Sequence, residues 1–189
     1  SLPCYAGYDF AVMIAVLMSV AFIAPCLAES GMMGDFLEIE TGVRASGVGG
    51  NYVAIADGSD SVYWNPAGLS FMNASEISLM HIAWLADINY EHVGFGVPVG
   101  NASGIGATVN YLWMNNFDST GGIEENTSAD NMSANLSYGF KPLPVFGLGV
   151  NVKYLRYRLG NSIAQGFAAD AGGKLLLLDD RLSLGLAVQ

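Results

Sequence analysis

Basic side chains are scarce in this chain. Seven Lys and Arg stand against seventeen Asp and Glu, a formal net charge of −10 over 189 residues. Phosphate backbones are held by clustered positive charge, so nucleic acid is excluded as a partner. Histidine occurs only as His81 and His92, and no cysteine or carboxylate cluster joins either at ligand spacing, so no metal site is expected. Neither histidine is tied by sequence to a nucleophile; no catalytic residue, enzymatic activity or cofactor is expected. The two cysteines, Cys4 and Cys26, lie in or before an apolar leader, which excludes a disulfide framework downstream. Gly47-Val48-Gly49-Gly50 neither follows a buried strand nor ends in Lys-Ser/Thr, so it is not a phosphate-cradling loop. Beyond the N-terminus no apolar run is long enough to span a bilayer as a helix, although 52% of the residues are hydrophobic and only 13% charged.

The leader is the one concentrated apolar stretch. Phe10 to Ala24 is uninterrupted and is followed by Pro25-Cys26-Leu27-Ala28 and Glu29, an h-region with a helix breaker and a small-x-small cleavage site. Residues 1–28 are therefore expected to be a signal peptide. The preceding segment carries no Lys or Arg, and a lipoprotein reading through Cys26 is weakened by Pro25.

Elsewhere the hydrophobicity is dispersed with period two, the pattern of a strand whose faces meet different surroundings. Ile105, Ala107, Val109, Tyr111 and Trp113 alternate with Gly106, Thr108 and Asn110; Met132, Ala134, Leu136, Tyr138 and Phe140 alternate with Ser133, Asn135, Ser137, Gly139 and Lys141. Phe146, Leu148, Val150, Val152 and Tyr154 oppose Gly147, Gly149, Asn151 and Lys153, and Val93 to Val99 opposes His92, Gly94 and Gly96. Further strands are expected over 167–174 and 182–188, and a less regular one over 77–84, which is apolar on both faces. Segments of about nine to eleven residues match lipid-facing strands of a transmembrane β-barrel; a secreted β-sandwich is the alternative. Asn115 to Asp130 reads as a long solvated loop on the cell exterior, Lys141 to Pro144 as a periplasmic turn, Leu159 to Gln165 as a medium loop and Asp179-Asp180 as a tight turn. Aromatics sort into two expected lipid-facing belts: Tyr111, Trp113, Tyr154 and Phe167 by the longer loops, and Tyr138, Phe140 and Phe146 by the short turn. His92, Asn110, Asn135, Asn151, Lys153, Asp170 and Lys174 are the lumen-facing candidates, with ion pairing inside the barrel their ordinary reading. The lumen-facing positions are mostly Gly, Ser, Thr and Asn, with no apolar pocket expected.

Residues 29–75 lack the period-two pattern. Thr41-Gly42-Val43-Arg44-Ala45 through Gly47 to Gly50, the Ala/Asp-rich stretch to Asp57, and Tyr63-Trp64-Asn65-Pro66-Ala67-Gly68-Leu69 together resemble the start of FadL-like outer-membrane barrels, with the PorV/PorQ branch the nearest in appearance. The resemblance extends to Gly166 through Gly172 and Leu184 to Gln189. It implies an all-β, antiparallel transmembrane barrel with a small N-terminal hatch over residues 29–75, of which 76–189 form the N-terminal part, because such relatives close with about fourteen strands. Asn65, Pro66, Ala67 and Gly68 would make a corner of that hatch: Asn65 as cap, Pro66 opening a short helix, Gly68 allowing close backbone approach. A periplasmic turn without a gating role is the alternative for this motif. Two functions are implied, with outer-membrane lipid as the common partner: transport of a hydrophobic or amphiphilic small molecule across the bacterial outer membrane, or a PorV-like adaptor for secreted protein cargo in type IX secretion.

Overall fold

A computed structural model of the protein describes residues 39–84, 87–118, 126–178 and 180–189. The expected leader, the first part of the expected hatch segment and residues 119–125 lie outside the described residues. Seven strands follow in chain order within one antiparallel sheet: β1 (Glu76–Ala83), β2 (Ile88–Val99), β3 (Ser103–Asp118), β4 (Asn126–Leu143), β5 (Phe146–Leu159), β6 (Ser162–Leu177) and β7 (Leu182–Val188). The sheet curls as half of a β-barrel. Before it come α1 (Val43–Gly47), a 3-10 turn at Gly58–Asp60, α2 (Ser61–Trp64) and a 3-10 turn at Pro66–Phe71, packed on the concave face.

Period two holds along the pairings except at register shifts between Met114 and Phe117 and between Phe140 and Leu143. The row Phe95, Ala107, Leu136, Val152 and Ala169 is in register from β2 to β6 and points outward, while Gly94, Thr108, Asn135, Lys153 and Ala168 are in register on the concave side. Below Tyr154 the outward positions of β5 are Val152, Val150 and Leu148, each about half exposed, and their neighbours Leu136, Tyr138, Phe140, Ile105 and Val109 are equally open. In β1 the ambiguity of the sequence is resolved: Ile77 and Leu79 are outward, Met80 and Ile82 are less exposed on the other face.

Five strands are longer than the sequence pattern predicts. β2 has 12 residues, β3 and β6 have 16, β4 has 18 and β5 has 14, against the about nine to eleven that span a bilayer. The expected loops shrink accordingly. Asn115 to Asp118 and Asn126 to Asp130 are paired strand, with a register shift between Met114 and Phe117, and Leu159 to Gln165 is a tight turn at Gly160 and Asn161 between paired strands. Backbone pairing continues wherever two strands already run side by side, whatever the polarity of their side chains, so the apolar pattern marks only part of each strand. Tyr154 and Phe167, expected at strand ends, are consequently well inside β5 and β6, facing each other at 5.4 Å.

A band of glycines decides where the N-terminal segment rests. Gly104, Gly139, Gly149 and Gly172 form one cross-strand row on β3 to β6, and the Pro66–Phe71 turn lies on it. A Cβ at Gly139 would come 2.8 Å from the Pro66 carbonyl oxygen and the Ser70 amide nitrogen; at Gly149 and Gly172 it would collide with Pro66-Ala67 and Asn65. Backbone therefore packs on backbone, a closeness only glycine allows. Gly149→Val should weaken this docking by about 1–3 kcal/mol and make the segment protease-sensitive. Gly173→Ala, whose Cβ would meet only Leu148 at 4.0 Å, should change stability by less than about 0.5 kcal/mol; limited proteolysis and thermal unfolding in detergent compare the two.

Candidate hatch and lumen site

The segment expected to be a hatch packs as a small core of its own. Ala45, Tyr52, Ala56 and Trp64 pack together with Val53 and Tyr63, and the Trp64 indole donates to the Thr41 carbonyl at 2.9 Å. Arg44 pairs with Asp57 at 2.7 Å, the Tyr52 hydroxyl donates to the same carboxylate at 3.1 Å, and the guanidinium lies over the Tyr52 ring at 5.7 Å. These contacts join the Arg-Ala and Ala/Asp-rich stretches across thirteen residues. The hydrogen bond to Asp57 raises the Arg44 pKa further, and burial pushes the Tyr52 phenol up to about 12. Asp60, beneath Gly42, is held above the ordinary carboxylate range by desolvation.

In the motif from Asn65 to Gly68, the Asn65 side chain accepts from the Ala67 amide at 3.1 Å while Pro66 opens the 3-10 turn, a cap contributing about 1 kcal/mol. Its amide nitrogen also donates to Val53 and Gly173 carbonyls, each at 3.0 Å. A Cβ at Gly68 would collide with the Ala56 carbonyl and Ser61. Asn65 thus caps its own turn and ties it to β6. Lys174 Nζ donates to the Ala56 carbonyl at 2.6 Å, Gln189 to that of Tyr63 at 2.6 Å, and Ser183 to that of Ala54; Ser59 donates to Glu76 at 3.1 Å. The fastenings are side-chain bonds to β1, β6 and β7, with glycines between them.

Above the hatch, the lumen candidates form a belt. Ser78, His92, Asn110 and Ser133 are linked in sequence across β1 to β4: His92 contacts Ser78 at 3.1 Å and Asn110 at 2.6 Å, and Asn110 donates to Ser133 at 2.9 Å. Asn135 donates to Thr108 at 2.7 Å. Ser137 donates to Asn151, which donates to Asp170, both at 2.8 Å, and Lys153 pairs with Asp170 at 2.8 Å in near-complete burial. Ion pairing therefore joins Asp170 to Lys153 on the adjacent strand, while Lys174 serves the hatch. Among the described residues no three of His, Cys, Asp and Glu gather as metal ligands.

The longer strands add an inner layer that sequence reading missed. Beyond the belt, Ile82, Tyr90 and Leu112 stand in one concave row that continues through Asn131 to Tyr157, next to Leu155, and Trp84 packs on Tyr90 at 6.4 Å. Tyr90 and Leu155 are buried. The expected Gly, Ser, Thr and Asn positions are joined by apolar ones: the concave face carries Ile82, Tyr90 and Leu112 toward the β1–β2 hairpin, polar side chains in the middle and glycines under the N-terminal segment. Parity already assigned these residues inward, but the expected strands stopped short of most of them.

Of the outward aromatics, Tyr111 and Trp113 stack at 5.4 Å, Tyr138 bonds Ser103 at 3.1 Å, and Phe140 and Phe146 lie in register with Leu148 and Leu175. Asp130, expected in a solvated loop, is instead in β4 and 3% exposed, facing Arg156 and Arg158.

A family model covers residues 26–174, through the N-terminal helices and turns, β1 to β5 and most of β6. The chain belongs to the uncharacterised protein family UPF0164. None of the curated proteins matches it. The UPF0164 match takes in both the Asn65 corner and the Lys153–Asp170 pair, the two features that organise the concave face.

Removing one member of a buried pair leaves the other charge uncompensated. Lys153→Met should cost about 3–5 kcal/mol, and Lys153→Met with Asp170→Leu should recover much of that loss; urea unfolding in detergent micelles measures both.

Proposed function

We propose that this UPF0164 protein forms part of the wall, with its internal hatch, of an outer-membrane β-barrel in a bacterial envelope, and that the barrel passes hydrophobic or amphiphilic small molecules. The membrane reading is supported by the outward face. From Phe146 to Tyr154 the outward side chains of β5 are all apolar or aromatic, about 27 Å of strand at roughly 3.4 Å per residue. A tilt of roughly 40° lowers that to about 20 Å, close to the apolar height barrels present to lipid. In water such a face would be a large exposed patch. FadL-like and PorV/PorQ-like barrels, which the Asn65 motif resembles, supply the architecture for the proposal.

Transport is favoured over an adaptor role by one observation, the apolar residues Ile82, Tyr90 and Leu112, in register beyond a polar belt and continued through Asn131 to Tyr157. A lipophile needs an apolar surface with a few polar anchors, and this layer offers both, with the hatch below as the barrier. No chemistry is assigned to the belt; it binds and orients. Full-length protein in detergent is expected to bind a fluorescent long-chain fatty acid, and Leu112→Asp to weaken binding about tenfold, the scale of losing one buried aliphatic contact. Absence of lipophile binding together with co-purification of secreted proteins would contradict transport and favour the adaptor.

A further inference from the structure

Beyond Tyr154 the outward face of β5 changes character. The next outward positions are Arg156 and Arg158, in a chain with only seven basic residues. Asp130 of β4 lies directly opposite Arg158 and, on its other side, opposite Trp113. One carboxylate oxygen is 3.7 Å from an Arg156 nitrogen and the other pairs with Arg158. Two guanidinium groups therefore approach a single carboxylate, and among the described residues the cluster has two positive charges to one negative. Each guanidinium offers five N–H donors in a planar fork. Asp130 is the carboxylate partner of both, and the two side chains are 34% and 40% exposed.

Arg156 and Arg158 sit about 7 and 14 Å further along the strand than Tyr154, the last aromatic ring on the outward face of β5, at the level of an aromatic belt where lipid headgroups begin. Tyr111 and Trp113, stacked on β3, flank the same level. A lone exposed ion pair would contribute about 1 kcal/mol or less and needs no second arginine. Here the buried Asp130 instead holds two forks at adjacent outward positions, a spacing from which both can reach the oxygens of one phosphate. Val152 and Val150, directly below, would receive the acyl chain of the same lipid.

We propose that Arg156 and Arg158, positioned by Asp130, form a docking site for the phosphate headgroup of an anionic membrane lipid. The proposal rests on the membrane-spanning reading above. The full-length protein is reconstituted in phosphatidylcholine vesicles with and without phosphatidylglycerol, and native mass spectrometry counts retained lipid. Phosphatidylglycerol should be retained preferentially, and Arg156→Gln and Arg158→Gln should each reduce the preference about fivefold. Asp130→Asn frees both forks and should raise retention even if it lowers stability; a merely structural pair would give the loss of stability without the gain. Insertion with no phosphatidylglycerol preference, or a preference unchanged in the arginine variants, overturns the site alone. Inorganic phosphate competing as well as the lipid would make it a free-anion site and overturn the lipid assignment. Failure of the wild-type protein to insert would overturn this proposal and the membrane reading together.

Discussion

Everything in the fold depends on a backbone ladder that satisfies its own hydrogen bonds while handing alternate side chains to two different surroundings. An antiparallel pair completes its N–H and C=O bonds in the plane of the sheet, so neither face has to be wet, and each can be dressed independently. The outward rows carry Val, Leu, Ile, Phe and Tyr; the concave rows carry Gly, Ser, Thr, Asn and a buried Lys153–Asp170 pair. A shift of one residue in any pairing would reverse these faces along a whole strand, and the register runs unbroken through the apolar rows of β2 to β6.

The concave rows are graded along the strands, and the hatch exploits the grading. Where side chains are absent, at Gly104, Gly139, Gly149 and Gly172, the Pro66–Phe71 turn lies on bare backbone. Such a contact is close but has little interdigitation, so the hatch is located mainly by bonds at its margins, from Lys174, Asn65, Ser183 and Gln189. Further along, hydrogen-bonded Asn, Ser, Thr and His side chains stiffen the wall, since satisfied buried polar networks specify one arrangement. Beyond them Ile82, Tyr90 and Leu112 give the concave face a third, apolar level.

Much of this was legible in the sequence because period two is a local property. Val152 and Asn151 declare their faces from their immediate neighbours, and Asn65-Pro66-Ala67-Gly68 carries its cap, its helix start and its small residue in four consecutive positions. What was not legible depends on pairing. The glycine row exists only once β3 to β6 are in register, since no single strand shows more than alternating glycines. Strand ends were missed because outside the apolar band pairing needs no hydrophobic alternation: Asp130 looks like a loop residue until it is seen opposite Arg158. The Arg44–Asp57 pair was hidden for the same reason, its members being distant in the chain and joined by the turn of the hatch.

The most direct test of the account is a two-face quenching experiment on β5. Single cysteines introduced as Asn151→Cys and Val152→Cys in the full-length protein, labelled with an environment-sensitive fluorophore and reconstituted in vesicles, are exposed to nitroxide-bearing lipid. Lipid quenching should be strong at 152 and weak at 151, with the same alternation at neighbouring positions from Gly147 to Tyr154. Equal quenching at both positions, or none at 152, would mean that the outward rows do not face acyl chains and would contradict the account.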